Sequence, residues 1–447
     1  MKNPAIVSQK GLLKSLMLTV AMSTGSMVTH ATDLKNVFEQ ALINDPQLAS
    51  EIATANANRQ SAGLARQAVL PTLNFTAETG SASFEVNNVE VDGDRTSYGL
   101  QLSQTLLAPA QWYSYGAASA TTDKAEIELR QAEQNLVVRI AEAYFNVLRA
   151  NATLASAKAQ EAAVKRQLEQ TQQRFKVGLI AITEVHEAQA IYDSATVELI
   201  AAESQLDVGF ESLALLTGER YDRISTLKTE IPLLGPNSAS REEWERKALQ
   251  QNLDVLIAQK SELAAQHNHK SKISEHLPTV NLVGSYTVDN SDVGLRAPGE
   301  DVTSTYVGVQ LEVPLFTGGA TWAGQKQAYY QRQAAEKGLE AAQRGASLSV
   351  RSLFRQLEAD IARIKARKQA QVSAQSAMEA TQTGYEVGTR NIVEVLQAQL
   401  AVFSAQRDYA FARYDYVINL LKFRQAVGEL SLADIEEVNG WLQATES

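Results

Sequence analysis

Several stretches of the chain alternate apolar and polar residues with a period of two, the pattern of a β-strand with one apolar face. Leu100 and Leu102, for example, flank Gln101, and the second half of the chain repeats the pattern. These stretches predict strands at 72–86, 96–107, 279–288 and 303–315. Polar loops would join them into two hairpins. In the first strand the alternation changes parity, which predicts a β-bulge near Gly80.

After each strand pair, apolar residues recur every three or four positions, as they do in helices. No Pro occurs between Pro109 and Pro232, and none follows Pro314, so the helices can continue without a break. The pattern predicts long helices at 110–174, 182–217, 321–383 and 392–427, with a short helix before each strand pair. A helix of about 64 residues is about 95 Å long, so the architecture must be elongated. Ala alternating with larger apolar residues along the second helix of each pair predicts a coiled-coil seam.

The two halves of the chain repeat one another. FKVGLIAITEV at 175–185 aligns with YEVGTRNIVEV at 385–395 at an offset of 210. Because the repeating unit has about 200 residues, we interpret it as a duplicated domain and not as a solenoid of short repeats.

The N-terminus predicts a secretory signal peptide. It has a basic start, an apolar run at 16–28 and a small-x-small cleavage site, THA, at 29–31. The chain thus divides into a signal peptide at 1–31, a first structural repeat at 32–219, an inter-repeat equatorial segment at 220–241, a second structural repeat at 242–428 and a C-terminal equatorial tail at 429–447.

Charge and composition exclude several functions. The formal net charge is −10, and without the first 31 residues the remaining 38 basic and 51 acidic side chains give −13. We therefore expect no binding of nucleic acid, which requires clustered Lys and Arg. The chain has no Cys, which excludes disulfides, thiolate metal sites and cysteine nucleophiles.

No motif predicts an enzyme. The segment GATWAGQK at 319–326 approaches a phosphate-binding loop but lacks its Gly-Lys-Ser/Thr ending. His267, His269 and His276 lack the spacing of a metal site, and we interpret them as solvated side chains. No Gly-x-Ser-x-Gly nucleophile elbow occurs. We therefore predict no catalytic, cofactor-binding or metal-ligating residues.

The strands distinguish two classes of exported protein. Beyond the N-terminal region no stretch of 18 apolar residues occurs, so a membrane-spanning form would need a closed β-barrel. Four strands cannot close a barrel, for which about eight are needed. Several chains would have to build it, and the strand number allows a dimer, a trimer or a tetramer. The alternative is a soluble periplasmic coiled-coil adaptor or scaffold, which leaves the amphipathic strands unexplained.

Three motifs resemble those of a known family. They are AYFNVL at 143–148, QQRFKVGLIAIT at 172–183 and GYEVGTR at 384–390. With them, the chain resembles the TolC family of outer-membrane channels, which serve efflux and type I secretion in Gram-negative bacteria. The resemblance implies an α+β membrane protein that forms a homotrimer. Its 12-stranded β-barrel, with four strands from each chain, would continue into a long α-helical coiled-coil tunnel in the periplasm.

The same resemblance implies the partners. Outer-membrane lipid would surround the barrel. A periplasmic adaptor (membrane fusion) protein, coupled to an inner-membrane pump of the RND, ABC or MFS type, would open the tunnel at its periplasmic tip. No cofactor is implied.

The implied functional site lies at the turns after the long helices. Gly178 and Gly388 end these helices, where a left-handed residue is least costly as Gly. The implied adaptor-docking tips are Val177, Gly178, Leu179, Val387, Gly388 and Thr389.

The implied periplasmic gate consists of Gln167, Thr183, Glu184, Tyr385 and Arg390. Arg390 and Glu184 are chemically matched, because a guanidinium group can bind a carboxylate through two hydrogen bonds. The family commonly has two acidic rings inside the tip. Here the first ring position is Glu394 and the second is Gln397, so we expect one acidic ring that favours cations.

Overall fold

The computed structural model describes residues 32–86, 89–235, 240–291 and 301–443. The predicted signal peptide at 1–31 lies outside the described residues. The elements of the first half are α1 (Leu34–Asn44), α2 (Pro46–Gln67), β1 (Thr72–Val86), β2 (Val89–Leu107), α3 (Pro109–Lys176), α4 (Ile182–Thr217) and β3 (Thr226–Leu227). Those of the second half are α5 (Arg241–Gln251), α6 (Leu253–Ser274), β4 (Thr279–Ser291), β5 (Asp301–Glu312), α7 (Ala320–Glu386), α8 (Ile392–Val427), α9 (Leu432–Asn439) and β6 (Leu442–Gln443).

Four strands form one antiparallel sheet in the order β1-β2-β4-β5. Its register brings apolar residues together on one face, because Phe75 pairs with Leu100 and Leu100 pairs with Tyr286. This face is uncovered in the single chain, and Phe75 is 67% exposed. The opposite face is polar and carries an ion pair of 2.6 Å between Arg95 and Asp289. The sheet is therefore amphipathic.

The sheet has two unpaired edges, β1 and β5. Each neighbouring pair of strands is antiparallel, so the two edge strands also run in opposite directions. The edge strand β5 of one copy therefore has the correct direction to pair with β1 of another.

β1 spans the predicted 72–86, whereas the other three strands of this sheet differ from their predicted boundaries. β2 begins at Val89 instead of 96, because its polar first residues pair with β1 and extend the hairpin. β4 continues to Ser291, beyond the predicted 288, because its last residues pair with the start of β5 and with Arg95 of β2. β5 ends at Glu312, before the predicted 315, since Pro314 has no amide to donate to a ladder.

The predicted bulge near Gly80 is wrong. The register between β1 and β2 runs without a shift through the whole of β1, and Gly80 lies opposite Arg95. The register instead shifts between β2 and β4, at Thr105 and Leu107. The change of parity in the sequence therefore does not correspond to an inserted residue in β1.

α3 and α7 are long rods that begin next to the sheet. Pro109 stands in the first turn of α3, where a missing amide removes no hydrogen bond. With 68 and 67 residues, the two rods are slightly longer than the predicted 110–174 and 321–383. At 1.5 Å per residue each rod is about 100 Å long. No helix in the described part of the chain has both the length and the apolar character required to cross a membrane.

The rods change partners along their length. Next to the sheet the helices lie in the order α2-α3-α6-α7, and towards the far end they lie in the order α4-α3-α8-α7. Each level therefore contains four parallel or antiparallel helices, with α7 at one border and α2 or α4 at the other.

The largest hydrophobic core surrounds the middle of α3 and includes Tyr144 and Tyr416. The belt, which we define as residues 220–235 and 429–443, packs around it. Tyr144 donates a hydrogen bond of 2.7 Å to a belt carbonyl, and Tyr416 donates one of 3.0 Å to another. Burial raises the pKa of Tyr416 to about 12, so its hydroxyl remains a donor at neutral pH. The belt is thus tied to α3 and α8 by buried polar contacts.

Gly428 ends α8 with a φ of 91°, and a Cβ atom there would collide with the backbone of Gln251. We expect Gly428→Ala to destabilise the protein by at least about 2 kcal/mol, through left-handed strain and this clash. Gly338→Ala on α7 is the control, since a Cβ there meets no atom within 4 Å, and it should stabilise by up to about 1 kcal/mol. Thermal unfolding of the purified protein measures both changes. Similar melting temperatures for the two variants would contradict the strain at Gly428.

Candidate functional site at the helix tips

Two similar turns connect the long helices in pairs at the end away from the sheet. Gly178 follows α3 with a φ of 77°, and Gly388 follows α7 with a φ of 78°. The Gly178 amide donates to Phe175 over 2.9 Å, and the Gly388 amide donates to Tyr385 over 3.1 Å. The next amide in each turn reaches one residue further back, which completes the Schellman pattern. Both glycines lie in open space, so the left-handed backbone, not crowding, requires glycine.

A small hydrophobic cluster joins the two turns. We call it the tip cluster. Its members come from α3, α4, α7 and α8, so it connects both helix pairs. Its buried residues are Val164, Ile392, Val395 and Leu396, and the residues packed against them are Ile191, Tyr192, Tyr385 and Val393.

Tyr385 also forms a polar bridge to the other turn. Arg174 on α3 donates from Nη1 to the Tyr385 hydroxyl over 2.6 Å, and its guanidinium carbon lies 4.9 Å from the centre of the tyrosine ring. The sequence predicted Tyr385 but not Arg174. Arg174 stands inside the motif at 172–183, yet its counterpart in the second repeat is Gly384, so the duplication gave no signal for it.

Arg390 has a different partner from the predicted one. Its Nη1 donates to the Glu394 carboxylate over 2.5 Å, one helical turn along the chain. No hydrogen bond or ion pair joins Arg390 to Glu184 in the described part of the chain. Glu394 is much closer to Arg390 along the chain than Glu184 is, and it lies one helical turn away. The first turn of α8 also holds Glu394 in position, because the Asn391 side chain caps the helix and accepts a hydrogen bond of 2.9 Å from the Glu394 amide. Gly384 leaves the space that the Arg390 side chain occupies.

The other predicted gate residues lie apart from these pairs. Gln167 lies on α3, and its side-chain nitrogen is buried without a hydrogen-bond partner. Thr183 is exposed, and Glu184 is half-buried in the first turn of α4. Gln397 is exposed on α8. Within one described chain, no hydrogen bond or ion pair connects their side chains to the α7–α8 turn.

The predicted docking residues form an uncovered apolar surface at the very end of the helices. Val177, Leu179 and Val387 are 69%, 73% and 70% exposed. Thr389 folds back and donates from its hydroxyl to the Gly384 carbonyl over 3.0 Å. Such exposed apolar side chains at rigid turns are typical of a surface that contacts a partner.

The histidines do not form a site. Among the described residues, no group of three or more His, Asp or Glu could hold a metal ion. The interpretation of His267 as solvated is wrong, because its Nδ1 is buried without a partner and the ring lies against Gly116. His269 packs with its ring centre 5.7 Å from that of Tyr329.

The comparison with known proteins agrees with this architecture. A family model described as outer membrane efflux protein matches residues 37–219 and 244–429, which cover most of the chain. The chain belongs to the outer membrane efflux protein family. It is 38% identical to the outer membrane protein TolC of Vibrio cholerae over 97% of this chain and 99% of that one. It is 34% identical to the outer membrane protein TolC of Escherichia coli over 96% of this chain and 89% of that one.

Solved structures of outer-membrane channels share the fold. The Campylobacter jejuni CmeC outer membrane channel superimposes with a TM-score of 0.77 at 17% identity, over 95% of this chain and 94% of that one. A membrane protein from Pseudomonas aeruginosa superimposes with a TM-score of 0.78 at 20% identity, over 89% and 91%. At these identities the likeness concerns the fold alone.

Membership of the family confirms the principal interpretation of the sequence. The protein is a TolC-family exit duct of the outer membrane of Gram-negative bacteria, and such channels are transport conduits, not enzymes. The alternative, a soluble adaptor or scaffold, is not favoured.

The bridge between Arg174 and Tyr385 should stabilise the joined turns. We expect Arg174→Gln and Tyr385→Phe each to raise hydrogen exchange of the amides at 385–396 about fivefold, as about 1 kcal/mol is lost with a charge-assisted hydrogen bond. The double variant should exchange about as fast as either single one, because both remove the same contact.

The control for this experiment is Arg166→Gln. Arg166 is an exposed arginine on the same helix, and its Nε donates to the Ala162 carbonyl one turn back. The Arg166→Gln variant should leave the hydrogen exchange of the amides at 385–396 unchanged. Fully additive effects of the two variants at Arg174 and Tyr385 would contradict the bridge.

Proposed function

We propose that three copies of this chain form a homotrimer, with a 12-stranded β-barrel continuous with a helical tunnel. The observation that supports it best is the sheet, which has an exposed apolar face and two unpaired edges of opposite direction. Unpaired backbone groups are not tolerated in lipid, and pairing β5 of each copy with β1 of the next satisfies all of them. The apolar face would then contact outer-membrane lipid and the polar face would line the conduit.

The borders of the helical layer support the same assembly. Val197 and Ile200 on α4 are 67% and 62% exposed, and Val372, at the same level on the opposite border, α7, is 56% exposed. These two different surfaces would meet between neighbouring copies in a head-to-tail contact, which closes into a ring. Three copies would give 12 helices at each level, since each chain contributes four.

We further propose that this duct serves tripartite efflux pumps and type I secretion. Among its relatives, the alkaline protease secretion protein AprF of Pseudomonas aeruginosa is 28% identical, and the outer membrane efflux protein BepC of Brucella suis is 26% identical. A periplasmic adaptor, coupled to an inner-membrane RND, ABC or MFS pump, would dock at Val177, Leu179 and Val387. The adaptor would open the tip by binding its open form more tightly than its closed form.

The polar pairs at the tip would hold the closed state. Tyr385→Phe combined with Arg390→Ser removes the bridge to Arg174 and the pair with Glu394. These partly exposed contacts would together stabilise the closed state by about 1–2 kcal/mol. Without them the ratio of closed to open channels should fall about 5- to 30-fold. In planar lipid bilayers the single-channel conductance should rise.

The control is Arg344→Ser, which removes a similar ion pair with Glu340 on α7, away from the tip. Its conductance should equal that of the unmodified channel. An unchanged conductance in the double variant would rule out these side chains as a latch.

The three Glu394 carboxylates would surround the threefold axis and form a ring that attracts cations. We expect Glu394→Gln to lower the preference for cations and to weaken block by trivalent cations about tenfold. Arg390→Ala should strengthen this block, because Arg390 neutralises Glu394 in the described chain. The readout is reversal potential and block in planar bilayers.

Glu336→Gln, at an exposed position on α7, serves as the charge-matched control and should change neither property. Block that is equal in all of these variants would show that Glu394 is only a solvated helix charge.

A further inference from the structure

A polar cleft of about 590 Å³ lies between α7 and α8, next to the belt. The belt covers one end of it at Thr229. Its walls carry two cations, Arg413 and Lys368, a row of side-chain amides, and one carboxylate, Glu379, which accepts a hydrogen bond of 2.8 Å from the Gln375 side chain. The cleft ends before the tip, since its residues on α7 lie between Lys368 and Glu379 and the helix continues to Glu386.

Arg413 is a cation without a carboxylate partner. Its Nη1 donates to the carbonyls of Lys228 and Thr229 over 2.8 and 3.1 Å, and its guanidinium group stacks on the ring of Tyr409 at 4.7 Å. Its Nε is buried and unpaired. Within the described residues it makes no ion pair, so the belt carbonyls hold its orientation but leave its charge uncompensated. A buried donor of this kind is costly unless a ligand accepts from it.

The rest of the cleft is suited to a polar, amide-bearing ligand. Lys368 lies 3.6 Å from Glu230, a contact in which both side chains remain mostly exposed. The amides of Gln371 and Gln406 make no hydrogen bond in the described part of the chain, and they can both donate and accept. Tyr409 presents an aromatic ring beside them. Cations, free amides and an aromatic ring together fit a carboxylated sugar or peptide.

We propose that this cleft binds the cell-wall polymer, peptidoglycan, through the carboxylates of its peptide stems. The proposal rests on the proposed function, in which the tunnel projects into the periplasm. A tunnel that projects from the outer membrane has to pass through the wall, whose chains combine carboxylates with N-acetyl and peptide amides. A carboxylate would pair with Arg413 and Lys368, and amides of the polymer would pair with Gln371 and Gln406. Binding would fix the duct laterally in the wall.

The test is cosedimentation of the purified full-length channel in detergent with purified peptidoglycan sacculi. Lys368→Gln should weaken binding about threefold, since this rim cation is exposed, and Arg413→Gln about tenfold or more. Lys337→Gln is the control, because Lys337 is also an exposed cation on α7, paired with Glu340 over 3.0 Å. It should bind like the unmodified channel.

Competition identifies the chemistry that is recognised. Soluble muropeptides, which carry carboxylates, should displace the channel from sacculi, whereas neutral N-acetylglucosamine oligomers should not. Equal competition by the neutral oligomer, or equal binding by all variants, would overturn the proposal. If Arg413 instead pairs with an acidic residue of a neighbouring copy, Arg413→Gln would split the oligomer and Lys368→Gln would bind normally, which also overturns it.

The result is separable from the proposed function. Lys368→Gln should retain the single-channel conductance of the unmodified protein while it binds the wall about threefold more weakly. If neither variant nor unmodified protein forms channels, the proposed function fails, and cosedimentation still reports on the cleft.

Discussion

The structure depends on the continuity of α3 and α7. Each is about 100 Å long and has to be covered along its whole length, but no other helix in the described ranges is long enough to do so alone. The chain therefore places two shorter helices end to end beside each rod. A similar hydrogen bond joins both junctions: Asn44 donates from its side chain to Thr217 over 2.8 Å, and Asn252 donates to Ala426 over 2.9 Å. In both cases an amide near the start of one helix satisfies a carbonyl at the end of the other.

The contact between the two repeats is unevenly distributed along the rods. Around the belt, α3 and α8 are joined by polar pairs, including Arg149 with Asp415 and Lys422 with Glu142. In the described chain, the next hydrogen bond between these repeats in the direction of the tip is the one between Arg174 and Tyr385. The tip cluster is small beside the core at the belt. Regions with few buried contacts open at the lowest free energy, so movement between the helix pairs is concentrated at the tip.

Much of this fold could be predicted from the sequence, because its main elements are local. Period-two stretches and the absence of Pro identify strands and rods without any tertiary information. Pairings were less predictable. The stretch around Asp92 has the composition of a loop, yet backbone pairing to β1 overrides that preference. Arg174 was missed because its partner, Tyr385, is 211 positions away and belongs to the other repeat.

Arg390 and Glu394 pair with each other, although the resemblance implied separate roles for them. Arg390 was expected in the periplasmic gate and Glu394 in the acidic ring. Glu394 stands in the first turn of α8, where the helix dipole stabilises a carboxylate, and its amide is capped by Asn391. If Arg390 moves away when the tip opens, the carboxylate keeps the stabilisation by the helix dipole. An uncompensated charge at this place costs less than it would in the middle of a helix. In the proposed gate, Glu394 would thus hold the closed tip through Arg390 and attract cations once that pair is broken, and Gln397 would not need to supply a second charge.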